Sequence, residues 1–254
     1  MPAKEVDGTA VVPARRPNGR CGVPLVTLTD QEVRSVMRIV IVASGSLDPR
    51  DARWLDGADR IVAVDGGSIW LDGLGRRPDR LIGDLDSTPP ELVATLERAG
   101  TPVDRHPTDK DASDLELALA ASGINPDDDV VVLGALGGSR LDHEISNLLL
   151  LADSTVTGRS IRFVHGVSTV WRVLGDTHVA LTGAPGDLVS LLPIGGDAEG
   201  VTTAGLRWPL RDAVLRIGRS RGLSNEIVAS PASVSLRDGV LLVVETSLQG
   251  APSA

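Results

Sequence analysis

Between Arg38 and Leu151 the chain alternates short apolar runs with amphipathic stretches, and that alternation admits few folds. Strand-like runs, most of them rich in Val, Ile and Leu, occupy residues 39–43, 61–64, 80–82, 103–105 and 130–133, and helical patterns fill 49–55, 68–73, 90–99, 113–121 and 142–151. Apolar strands separated by helices predict an α/β fold with a mostly parallel, Rossmann-like sheet, because parallel neighbours need a long crossover that covers the sheet face. In such sheets ligands sit beyond the carboxyl ends of the strands. Asp65, Asp84, Asp86 and Gly134 each follow one of these strands, so polar residues able to do chemistry fall on the predicted binding edge.

After Leu151 the texture changes. Short alternating runs recur at 161–164, 169–173, 178–181, 188–192, 214–217, 232–236 and 240–245, divided by Gly, Pro, Asp and Asn, with no helical pattern among them. Short strands at regular spacing predict an all-β sandwich or small barrel. The expected organisation is a loose extension over 1–37, an α/β domain over 38–155 and a β-sandwich over 156–254, with the boundary inside 153–160. Met37 is an alternative start, since a strand opens directly after it.

A net charge of -9 and a pI near 4.9 argue against a broad nucleic-acid or anionic-membrane surface. The single cysteine, Cys21, rules out an internal disulfide and a zinc cluster and fits a reducing cytoplasm. No apolar run approaches the ~20 residues of a membrane span, and the first residues lack the pattern of a secretory signal.

The chemistry concentrates in Gly83-Asp84-Leu85-Asp86-Ser87, directly after the apolar pair Leu81-Ile82. In extended backbone alternate side chains share a face, so Asp84 and Asp86 point the same way. Two adjacent carboxylates are unfavourable without a cation or a basic partner. Further acids follow in Asp109-Lys110-Asp111-Ala112-Ser113-Asp114 and Arg140-Leu141-Asp142-His143. An oxygen-rich set of this kind suits magnesium, which takes one or two carboxylates plus water and substrate phosphates. The residues therefore point to a magnesium-dependent enzyme acting on a nucleotide polyphosphate. A P-loop kinase is excluded, because no Gly-x-x-x-x-Gly-Lys-Ser/Thr segment is present.

Some of these residues have plainer local uses. Ser113 to Glu116 spells a capping box. Asp65-Gly66-Gly67 suits any strand-to-helix turn, Arg140 and Asp142 suit the start of the next helix, and Ser224-Asn225 suits a turn. Against these stands the ability of Arg140 to fork onto phosphate oxygens and of a glycine-opened helix start to attract an anion.

Taken in order, several segments resemble the thiamine pyrophosphokinase family. They are Val64-Asp65-Gly66-Gly67, the run from Pro78 to Ser87, Lys110-Asp111-Ala112-Ser113-Asp114-Leu115 and the run from Gly134 to His143 with Asn147. The later half adds Leu191-Leu192-Pro193, the run from Val201 to Leu210 and Ser224-Asn225-Glu226. The match covers about residues 38 to 246. Departures are Leu85 where the family usually has Phe, Ser113 for a usual Thr, and an added Ser139 before Arg140. The resemblance implies an α/β domain followed by a β-sandwich, and a homodimer with thiamine bound between the first domain of one subunit and the second domain of the other. It implies transfer of the diphosphate of ATP to the hydroxyl of thiamine. Asp84, Asp86 and Asp111 are then expected to hold magnesium, with Arg140 and Asp142 also catalytic. Asp65, Gly66, Gly67, Lys110, Asp114, Arg140, His143 and Asn147 are expected around the nucleotide, and Ser224, Asn225 and Trp208 around thiamine. The acids do not separate one-phosphate from two-phosphate transfer; only the resemblance does. Two other readings are a pyrophosphokinase for another small alcohol, such as a pterin, and a regulatory module that binds thiamine or nucleotide without turnover.

Overall fold

The computed structural model describes residues 35–120, 123–153 and 160–249. The expected extension, apart from its last three residues, lies outside them, as do Cys21 and residues 154–159 of the expected boundary.

Six strands form the parallel part of the first sheet: β1 (Arg38–Val42), β2 (Arg60–Val64), β3 (Arg80–Gly83), β4 (Val103–Arg105), β5 (Asp129–Leu133) and β6 (Ser160–His165). Their spatial order is β6-β5-β1-β2-β3-β4. Alternation within each strand feeds two cores. Ile39 and Ile41 of β1 and Val130 and Val132 of β5 join one cluster, with Leu115, Ala118 and Leu119 of α3 (Asp114–Ala120). Val40, Val42, Val131 and Leu133 face the opposite cluster, with Trp54 of a 3-10 helix (Pro49–Leu55), Leu71 of α1 (Gly67–Gly73) and Val93 and Leu96 of α2 (Pro90–Arg98). Burial on both faces is what a near-continuous apolar strand requires. The stretch 49–55 is tightened to a 3-10 helix, with Asp48 accepting the Arg50 N–H at 2.8 Å and Asp51 accepting the Asp48 N–H at 3.1 Å.

Gly67 opens α1 hard against β1. A Cβ there would lie 2.0 Å from the Val42 carbonyl oxygen, so the helix start tolerates no side chain at that distance. Gly67→Ala is expected to cost about 1–3 kcal/mol through forced displacement of α1. The expected reading is a lower urea midpoint with an unchanged m-value; an unchanged midpoint contradicts this packing.

The remaining strands are β7 (Ser168–Leu174), β8 (Thr177–Ala180), β9 (Leu188–Pro193), β10 (Ala198–Ala204), β11 (Ala213–Leu215), β12 (Asn225–Glu226), β13 (Ser233–Leu236) and β14 (Val240–Thr246). β7 pairs antiparallel with β6, and β14, β9 and β12 follow, so one ten-stranded sheet runs through both halves of the described chain. A second sheet, in the order β11-β10-β13-β8, packs on its antiparallel end. Val189, Leu191, Leu241 and Val243 from the first sheet meet Val201, Leu215, Val234 and Leu236 from the second in a common core, which is the sandwich. β10 carries no clean alternation in the sequence. Gly200 adopts φ +67 within it, and the register shifts between Ala198 and Val201, as at a bulge. No helix among the described residues is long and apolar enough to cross a membrane.

Candidate active site

The chain leaves β1 towards β2 on one side of the sheet and later places β5 on the other side, so a crevice opens between their carboxyl ends. Such a switch point is where open α/β sheets bind ligands. A cleft of about 790 Å³ occupies it, lined by residues from four loops: Ser44-Gly45-Ser46 after β1, Asp65 after β2, Asp84 and Asp86 after β3, and Gly134, Ala135 and Gly137 to Arg140 after β5. Lys110, Asp114, His143 and Asn147 complete the wall. Gly134 is at φ +69, and a Cβ on it would sit 2.4 Å from the Ala43 carbonyl oxygen, so only glycine lets the two central loops approach this closely.

Asp65, Asp84 and Asp86 converge, each offering a carboxylate oxygen within 4.8 Å of the others. Asp65 is 7% exposed and adopts φ +46, and Leu85, between the other two acids, adopts φ +65. Left-handed backbone at these two non-glycine residues is a local strain, most costly at Leu85. Thr88, itself buried, donates to Asp65 Oδ1 at 3.1 Å and fixes that carboxylate. Burial raises the Asp65 carboxyl above its ordinary range, and the charges of Asp86 and Asp84 add to the rise, against bonds from Ser87 and Thr88. Asp84 moves the other way: the Asp86 N–H, at 3.2 Å from Oδ1, lowers it, and Lys110 assists against burial. Hard oxygen donors in threefold array, one of them buried and reluctant to ionise alone, fit magnesium.

Lys110 stands beside the acids, its Nζ 3.1 Å from Asp114 Oδ1 and 3.5 Å from Asp84 Oδ2. Burial alone would lower its pKa, but the two carboxylates outweigh that and raise it, so the ammonium is held charged. Arg140 donates to Asp142 through two nitrogens of its guanidinium, Nε to Oδ1 at 3.0 Å and a terminal nitrogen to Oδ2 at 2.7 Å. That bond pulls the Asp142 carboxyl down to about 2, which leaves it a weak base. Asn147 donates to the Ala135 carbonyl at 2.8 Å and so braces the loop after β5. Ser113 Oγ accepts the Glu116 N–H at 3.2 Å, so the capping use of that segment is realised too.

The cleft thus gathers Asp65, Asp84, Asp86, Lys110, Asp114, Arg140, His143 and Asn147. Gly66 and Gly67 lie behind it, Gly67 against β1. Asp111 is exposed, in the irregular segment before α3, and stands outside the carboxylate group, whose third member is Asp65. Asp142 is exposed and does not line the cleft. Ser224, Asn225 and Trp208 lie in the antiparallel half and line no part of it. Asn225 is buried and clips the Trp208 segment, accepting its N–H at 3.1 Å and donating to its carbonyl at 2.8 Å, so the indole, 59% exposed, is the group presented to solvent. Sequence reasoning missed Ser44, Gly45 and Ser46. Their signal was their place directly after β1, but which strand is central emerges only from the pairing order.

Comparison with known proteins agrees with this geometry. The thiamin pyrophosphokinase catalytic domain matches residues 52–163, and the thiamin pyrophosphokinase vitamin B1 binding domain matches residues 177–241. Thiamine pyrophosphokinase from Bacillus subtilis is 25% identical over 211 residues, 82% of this chain and 98% of that protein. Its crystal structure superposes with a TM-score of 0.73, covering 83% of this chain and 99% of that one. The crystal structure of thiamin pyrophosphokinase from Geobacillus thermodenitrificans is 31% identical, with a TM-score of 0.68 and coverage of 83% and 98%. Two domain matches in order, relatives aligned over nearly their whole length and an acidic cleft at the switch point lead to one conclusion: the chain belongs to the thiamin pyrophosphokinase family.

Proposed function

We propose that the protein is a magnesium-dependent thiamine diphosphokinase, with the acidic cleft as its phosphate-transfer site. The observation that carries this reading is the convergence of Asp65, Asp84 and Asp86 at the switch-point cleft of a chain in this family. In the reaction the primary hydroxyl oxygen of thiamine bonds to the β-phosphorus of ATP, the bond from that phosphorus to the α–β bridging oxygen breaks, AMP leaves, and the hydroxyl proton is released. Little covalent chemistry is asked of the protein, so positioning and charge neutralisation dominate.

Asp65, Asp84 and Asp86 would hold magnesium, which when bound neutralises phosphate charge and fixes the oxygens. Lys110, kept charged by Asp84 and Asp114, orients the phosphate chain. Arg140 engages it by exchanging Asp142 for phosphate oxygens, a bidentate exchange suited to guanidinium. The loop after β5, braced by Asn147, presents backbone to the nucleotide. Asp142 is too acidic in its bonded form to take the hydroxyl proton efficiently.

Thiamine is assigned to the exposed Trp208 and the adjoining Ser224. β12 lies five strands from β5 in the sheet order, about 24 Å at normal strand spacing. This separation supports a homodimer in which the sandwich of one copy meets the cleft of the other. We assign phosphate transfer to the parallel α/β part, which takes in β6 from the expected second half (156–254), and thiamine binding to the antiparallel part that follows; the single cysteine supports a cytoplasmic setting. The test is incubation with ATP, thiamine and magnesium, followed by quantification of thiamine diphosphate and AMP in equal amounts. Stoichiometric ADP, or tight thiamine binding without magnesium-dependent product, would overturn the assignment.

A further inference from the structure

Arg216, Arg219 and Arg221 stand exposed on two consecutive turns between β11 and β12. The Arg219 N–H bonds to the Arg216 carbonyl at 3.1 Å, and the Leu223 N–H to the Ser220 carbonyl at 3.0 Å. The backbone beneath them is pinned. Leu191 N–H of β9 donates to the Gly222 carbonyl at 2.8 Å, the Ser224 N–H donates to Ser190 Oγ at 3.0 Å, and a Cβ on Gly222 would sit 2.1 Å from the Leu191 carbonyl oxygen. A fixed scaffold therefore displays three guanidinium groups.

These groups have no ion-pair partner among the described residues, although neighbouring arginines do. Arg207 takes Glu226 at 2.9 Å and Arg237 takes Asp212 at 2.6 Å. The Asp197 carboxylate accepts the Ile217 N–H at 2.9 Å. Three unneutralised cations within six residues are a marked local excess in a chain of net charge -9. Like charges so close contribute nothing to folding and favour an anionic ligand. The guanidinium fork matches phosphate oxygens in particular. Meanwhile the acidic cleft is short of free positive charge: its lysine and arginine, Lys110 and Arg140, are both already paired with aspartates.

We infer that Arg216, Arg219 and Arg221 form a second phosphate-recognition surface, which binds the polyphosphate of the co-substrate or the diphosphate of the product. Thiamine itself carries a cationic thiazolium, so this surface recognises the phosphate chain and not the vitamin ring. Its action at the acidic cleft rests on the dimeric arrangement proposed above, since none of the three arginines lines the cleft of its own chain.

The test has a binding arm and a kinetic arm. Inorganic triphosphate is titrated calorimetrically, without magnesium, into the full chain and into R216Q/R219Q/R221Q, whose melting temperature is checked against the parent. The expected result is a salt-sensitive affinity that falls about tenfold or more in the triple variant, with partial recovery in R216K/R219K/R221K, which keeps charge but loses the fork. In turnover, KM for ATP rises by a similar factor while KM for thiamine holds; a selective rise in product inhibition constant instead assigns the surface to the diphosphate of the product. Equal triphosphate affinity in parent and glutamine variant overturns the inference. So does a variant that loses its dimer while keeping triphosphate affinity, since the arginines then bind the second copy. Triphosphate binding lost in the variant, from a parent that makes no thiamine diphosphate, supports this surface and defeats only the assigned reaction.

Discussion

Asp84→Asn is expected to fold normally and to lose all but about a hundredth to a thousandth of its turnover, the range typical of removing one preorganised electrostatic group. Asp86→Asn is expected to behave alike. The structural cost is small for specific reasons. Asp84 and Asp86 line the cleft and not the hydrophobic core, the amide is isosteric, and Lys110 retains Asp114 at 3.1 Å when Asp84 loses its charge. The catalytic cost is large because the carboxylate that the Asp86 N–H and Lys110 keep ionised is the one removed. Initial rates of AMP release and a thermal melt on the same preparations check both halves. Parent-like rates in both variants contradict the assignment of these acids.

Asp65→Asn separates function from stability more sharply. The Asp65 carboxyl is buried beside two other carboxylates, and burial raises its pKa. For an acid raised in the folded state, the fold binds more protons than the unfolded chain. Metal-free stability therefore falls as pH rises from the ordinary aspartate range through the raised value. Ionising this buried carboxyl in the folded protein is unfavourable, and the amide removes that cost. The variant is expected to lose turnover by about a hundredfold or more and yet to melt at a higher temperature than the parent in the absence of magnesium. Added magnesium is expected to raise the melting temperature of the parent and to have little effect on the variant. A metal-free variant that melts lower than the parent shows that Asp65 serves the fold and not a cation. Strained backbone at Asp65 and Leu85 is of the same kind, a local cost kept where the site needs those side chains aimed together.

Much of the first sheet was legible from period and punctuation. β1, β2, β3 and β5 end where apolar runs meet Ser, Asp or Gly, and the helices between them follow the expected spacing. Less was legible in the later half. β10 was hidden by a bulge at Gly200, and β12 is only two residues long, held by pairing to β9 and not by any pattern of its own. At the site, Asp84 and Asp86 were visible because both lie on one short segment. The joining of Asp65 to them was not, since β2 and β3 meet only through sheet pairing. Asp111 resembled a third ligand in the sequence, yet the turn before α3 leaves it exposed outside the group. Asn225 was expected at the substrate, but its fastening of Trp208, a contact spanning seventeen residues, was not legible in the sequence.

The amino-acid order alone determined which segments of the first sheet become strands and helices and which edge of that sheet collects the acids, because periodicity and strand-end chemistry are properties of neighbouring residues. Tertiary structure decided which carboxylates share an ion's reach, that a single sheet runs through both halves, and which arginines are left without partners. Those outcomes depend on pairing between distant segments and on the burial it creates, and neither is encoded in any one stretch of chain.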